Sequence, residues 1–128
     1  MLVKTSTAKT FDPFGDRAAR DIRNGLSEAF VAAWTDAGKD YGPVAEALRK
    51  RFIQPVYQAY IKGRMAAYQA AMDGRQTLGA PGLLEEMMLL WNQGLFFEVH
   101  ELLENHWHAA QGEWREVLKT LIQTAAVY

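Results

Sequence analysis

The sequence predicts an all-α protein, a single-domain bundle of five to six helices. Two observations carry this. Apolar residues return at three- and four-residue steps through every long segment, and no stretch sustains the period-two alternation of a half-buried strand. Glycine and proline then cut those segments apart, at Gly38, Gly42-Pro43, Pro55, Gly79, Gly82, Gly94 and Gly112. A chain of 128 residues suffices for one core. Divided at the Gly/Pro-rich stretch near residue 80, either part alone would be marginal, so the two parts are expected to be layers of one domain spanning residues 16–128.

Residues 1–15 read as a flexible lead-in. Thr5, Ser6, Thr7 and Thr10 are polar, Asp12-Pro13 and Gly15 break regularity, and Phe11 and Phe14 are candidates to pack back on the body. Asp16 is placed to cap the first helix. That helix is expected over residues 16–37, with Ile22, Leu26, Ala29, Phe30, Ala33, Trp34 and Ala37 on its apolar face. Arg17, Arg20 and Arg23 recur every third residue. They make either a solvated face or an anion-binding one.

A shorter helix is expected over 43–53, with Val44, Ala47, Leu48 and Phe52 inward. Pro55 ends it, because proline cannot donate the helical hydrogen bond. A third helix follows over 55–72, striped by Val56, Tyr57, Tyr60, Ile61, Met65, Tyr68 and Met72. Its three tyrosines either line a pocket or, as is commoner at this spacing, are core residues whose hydroxyls reach the rim. Residues 73–82 read as a loop. Residues 83–92 make a short helix that is apolar almost all round, hence expected to be well buried. Gly94 permits a left-handed turn into the next helix, giving an αα-hairpin. A last helix over 113–128 carries Trp114, Val117, Leu118, Leu121, Ile122, Ala125 and Tyr128 on one face.

Composition removes several function classes. There is no cysteine, so a disulfide scaffold, a thiolate metal site and a cysteine nucleophile are excluded. Residues 1–20 lack the apolar core of a secretory signal, and no run approaches the ~18 apolar residues of a membrane span, so a cytoplasmic protein without a membrane partner is expected. A net charge of −1 argues against bulk nucleic-acid affinity. The charge is unevenly spread. Residues 1–75 hold 12 Lys/Arg against 8 Asp/Glu (+4), and residues 76–128 hold 2 against 7 (−5). Either two layers of the domain complement one another, or a bipolar surface attracts a partner or a second copy.

The helix over residues 95–108 carries the candidate chemistry. On a helical wheel Leu95, Phe96, Val99, Leu102 and Leu103 form one arc, with Trp107 at its edge. Glu98, Glu101, Asn105 and His108 fall on the opposite, solvent-like side. His100 and Glu104 flank the core one turn apart, and i,i+4 residues are neighbours. An imidazole and a carboxylate so placed can share a divalent metal, as the two histidines of His-Glu-x-x-His do for zinc. Further ligands would have to come from His106, His108, Glu98 or a distant acid. The alternative is a satisfied polar cluster in which His100 and Glu104 bond each other, or Lys119 and Gln123 of the last helix. His106 sits inside the apolar arc, as a core histidine or a ligand.

Three patterns in this region resemble one family. Trp91, Asn92, Gly94 and Phe96/Phe97 match aromatic-Asn-x-Gly-x-aromatic. His100, Glu101, Glu104 and Trp107 match His-Glu-x-x-Glu-x-x-Trp, and Leu121-Ile122-Gln123-Thr124-Ala125 matches apolar-apolar-Gln-x-Ala. The stretch from about residue 84 to 128 thus resembles domain-of-unknown-function family 309, small all-helical bacterial and archaeal proteins. The resemblance implies a helical bundle and draws Glu101 into the site. Two positions depart from the pattern: Thr120 stands where the family has glycine, and His106 where it has an apolar residue. Related chains often run on past the position of Tyr128, so the resemblance implies that part of the bundle is either absent or supplied by a second copy.

These readings converge on a polar ligand- or metal-binding pocket built on His100, Glu101 and Glu104. Lys119 and Gln123 face it, Trp107 walls it, and His100 and Glu104 are the metal ligands. Were it hydrolytic, Glu101 or Glu104 would be the base. The alternative is a non-catalytic interaction or oligomerisation module in which the same cluster is structural.

Overall fold

The computed structural model describes residues 10–127; the earlier part of the lead-in and Tyr128 lie outside them. Among the described residues six helices follow one another: α1 Arg17–Thr35, α2 Gly42–Arg51, α3 Pro55–Leu78, α4 Leu83–Asn92, α5 Phe96–Ala109 and α6 Glu113–Ala125. Among the described residues there is no strand, and no helix is long and apolar enough to cross a membrane. The fold is all-α, as the periodicity predicts.

Asp16 caps α1 through its side chain, accepting from the Ala18 N–H at 3.0 Å. Its other oxygen accepts from the Tyr57 hydroxyl at 2.5 Å, so the cap also ties α1 to α3. Ahead of it, Phe11 stacks on Tyr60 with ring centroids 3.6 Å apart, whereas Phe14 is left exposed. α1 is the centre of the bundle and packs on α2, α3 and α5. Its Phe30 lies in an aromatic cluster with Trp34, Tyr41 and Tyr68, stacked on Tyr68 at 4.1 Å. The inward residue of α2 is Ala45; Val44 and Ala47, expected inside, face solvent.

α3 runs six residues past its expected end, through much of the predicted loop. Gly74 costs about 1 kcal/mol inside a helix relative to alanine. The missing side chain leaves room for α4, since a Cβ at Gly74 would lie 2.8 Å from Leu89 Cδ2. Arg75, one residue on, donates to the Trp34 carbonyl, lies 4.5 Å over the Trp34 ring and pairs with Glu86 at 3.2 Å. These contacts anchor the last turns, and the helix stops only at Gly79, whose φ of 86° is open to glycine.

α4 is also less buried than predicted. Met87 and Leu90 reach the core, but Leu84 is 64% and Met88 56% exposed. α4 packs on α3 and α5 alone, so its outer face has no covering element among the described residues. The predicted hairpin turn is present. Leu95 N–H bonds the Leu90 carbonyl at 3.0 Å, Gly94 N–H bonds that of Trp91 at 2.9 Å, and Gly94 has φ 72°. Leu90 and Leu95, which this turn brings together, are both fully buried.

Candidate functional site

α5 is packed by α1 and α4 and, most extensively, by α6. A helix covered on several sides cannot be divided into one apolar and one polar face, and its charged residues meet different surroundings. Glu98 is the extreme case. The wheel places it toward solvent, yet it is fully buried. Its Oε2 accepts from the Tyr68 hydroxyl at 2.5 Å. Its Oε1 has no hydrogen-bond donor among the described residues, but Arg64 Nη2 stands 3.7 Å away. Arg64 is held in turn by the Tyr60 hydroxyl at 3.0 Å and the Gly94 carbonyl at 3.4 Å. Burial first, then the charge and hydrogen bond of Glu98, push the Tyr68 phenol far above its usual range, so it stays protonated and donates. Burial likewise raises Tyr60. The hydroxyl of Tyr68 thus reaches an interior carboxylate rather than the rim.

One turn outward, His100, Glu101 and Glu104 converge. Each offers an atom within 4.8 Å of the others', all three are half-buried, and His100 Nε2 lies 3.8 Å from Glu104 Oε1. Glu101, placed outward by the wheel, is therefore the third member. Burial raises its pKa, Glu104 adds to the rise, and His100 and Arg23 oppose it. Trp107 is partly buried and carries the Arg115 guanidinium 3.9 Å over its ring. Lys119 and Gln123 are exposed on α6; no hydrogen bond among the described residues joins them to His100 or Glu104. His106 is half-buried and His108 exposed, both outside the convergent set.

Two clefts adjoin it. One, of about 420 Å³, is bordered by Phe14, Arg23, Arg64, Phe96, Phe97 and His100. The other, of about 350 Å³, lies between Arg23, Asn24, Glu28, Phe97 and Glu101. Arg64 was not picked out by sequence reasoning, and Glu98 was weighed there only as a further metal ligand. The signal that could have found their pairing is the +4/−5 charge split, because Arg64–Glu98 and Arg75–Glu86 both join the basic part of the chain to the acidic part.

The sequence model of a family described as a domain of unknown function, DUF309, matches residues 84–128. The matched stretch comprises nearly all of α4 together with α5 and α6, and so includes Glu98, His100, Glu101 and Glu104; Arg23, Arg64 and Tyr68 lie before it. No curated protein and no solved structure matches the chain.

Proposed function

We propose that the protein binds a divalent transition-metal cation through His100, Glu101 and Glu104. The observation carrying this reading is the convergence of one imidazole and two carboxylates within 4.8 Å on a half-buried face. An N,O,O donor set suits Zn²⁺, Mn²⁺ or Fe²⁺ better than the all-oxygen preference of Mg²⁺ or Ca²⁺. Three protein ligands leave a coordination position for water or a small ligand, as in catalytic rather than structural zinc sites. Binding requires a neutral imidazole and ionised carboxylates. Because the Glu101 carboxyl is raised, affinity increases with pH through the range in which it ionises.

The test is calorimetric titration of Zn²⁺ and Mn²⁺ into untagged, chelator-stripped protein. One micromolar site is expected, weakened by more than about tenfold in His100→Ala and in Glu104→Gln. Absence of binding, or equal binding by these variants, overturns the reading.

A different observation favours a second reading, an interaction module. An apolar groove of about 140 Å³ runs between α4, α5 and α6, lined by Leu84, Met88, Trp91, Leu103 and Leu121 among others. Trp114 and Val117 on α6 are about half exposed. Surface of this kind supports association with a second copy or a partner. Light scattering tests it: a strict monomer at all concentrations speaks for the metal-binding reading alone.

A further inference from the structure

We propose that the cleft beside His100 binds a small oxyanion, a carboxylate or phosphate, carried on an apolar body. The argument starts from the charges around it. The cleft is bounded by α1 through Arg23, by α3 through Arg64, by the first turns of α5, by the C-terminal end of α6 at Ala125 and Ala126, and by the lead-in turn at Pro13 and Phe14. Among the described residues its ionisable lining is two guanidiniums and one imidazole, with no carboxylate.

The two arginines are not equivalent. Arg64 is already answered by the buried Glu98 at 3.7 Å. Arg23 has no carboxylate within 4.0 Å among the described residues. Its hydrogen bonds, from Nε and Nη2, go to the neutral side chain of Asn24 at 3.2 and 3.1 Å. Its charge acts on Glu101, which lines the adjoining cleft with Glu28. The guanidinium carbon instead lies 4.0 Å from the centre of the Phe97 ring, with the Phe14 ring 5.9 Å away. With Nε and one Nη2 hydrogen given to Asn24, the N–H groups that remain can meet a carboxylate or phosphate by two parallel hydrogen bonds.

The walls determine the rest of the ligand. Phe14, Phe96 and Phe97 supply aromatic surface beside the cationic edge. A volume of about 420 Å³ suits a small molecule rather than a macromolecule. The anion is held by protein N–H groups and needs no metal, so this inference goes beyond the cation site, although His100 borders both.

The test uses the full chain with a chelator present, so that loss of the metal reading leaves the result unaffected. Phenyl phosphate and benzoate are the probes; benzyl alcohol and inorganic phosphate are the controls. Expected are saturable one-site binding of both probes, at least about tenfold weaker binding of either control, and an about tenfold loss in Arg23→Gln. In the wild type, probe-induced amide shifts centre on Phe97 and His100, a readout that requires no variant. Equal affinity for benzyl alcohol removes the anion site, and equal affinity for inorganic phosphate removes the apolar body. Absence of saturable binding, unchanged binding in a folded Arg23→Gln, or shifts centred elsewhere overturns the proposal outright.

Discussion

Glu98 and the set His100, Glu101 and Glu104 lie on the same helix less than two turns apart, and they make opposite use of charge. Glu98 is sealed, bonded to Tyr68 and faced by Arg64, two residues that come from α3. The outer three are half-buried and mostly face one another. A carboxylate so enclosed is out of a ligand's reach, even with Oε1 lacking a hydrogen-bond donor among the described residues, and its bond to Tyr68 and charge pairing with Arg64 fix α5 against α3. A half-buried set holding two carboxylates that repel one another would gain by taking up the proposed cation. The difference comes from what packs over each position, not from the residue types.

The sharpest way to break this contrast is Glu98→Ala. It leaves the Tyr68 hydroxyl and the Arg64 guanidinium without their partner, and a loss of about 3 kcal/mol in denaturant unfolding is expected. Glu98→Gln, which can still accept from Tyr68, should lose less. A cost no larger than that of a surface substitution would move Glu98 into the same class as its outer neighbours.

Gly94→Ala comes next. Its φ of 72° is left-handed and its carbonyl accepts from Arg64, so about 1–2 kcal/mol should be lost, measured as a lower unfolding midpoint at unchanged slope.

His100→Ala should cost under about 1 kcal/mol, because its 3.8 Å pair with Glu104 is substantially exposed. The same substitution should weaken cation binding by more than about tenfold, read by the same titration. A large stability loss here would instead mark the outer set as structural.

The smallest effect is Glu101→Gln. A carboxyl whose folded pKa lies above its unfolded value binds more protons when folded, so stability falls as pH rises from the unfolded pKa through the folded one. The variant should be slightly more stable than the wild type above that range, with the difference vanishing below it in parallel unfolding curves.

Much of the fold was legible in the chain. The Asp16 cap, the Gly94 turn and the succession of helices are local matters, decided by capping chemistry, glycine's access to positive φ and the spacing of apolar residues. The misreadings have one common cause. Residues 73–78 are helical because Leu89 fills the space above Gly74 and Arg75 finds Trp34 and Glu86, partners that are distant in sequence or on another helix. The outer face of α4 is exposed because no described element covers it, and nothing in its own residues announces that. Lys119 and Gln123, placed beside the site by their position on α6, are exposed and joined to neither His100 nor Glu104 by a hydrogen bond.

By itself the sequence determined an all-α chain, the boundaries set by caps and glycines, and the local pairing of His100 with Glu104 one turn apart. Those follow from interactions between residues a few positions from one another. Only the tertiary structure decided that Glu98 is interior and that Arg23 of α1 meets Arg64 of α3 and His100 of α5 around one cleft; Glu101, which the helical wheel turned outward and only the family resemblance drew in, converges with His100 and Glu104 in the fold. A helical wheel assumes one neighbour, and α5 has several, so the environment of each of its charges is fixed by the elements packed around it.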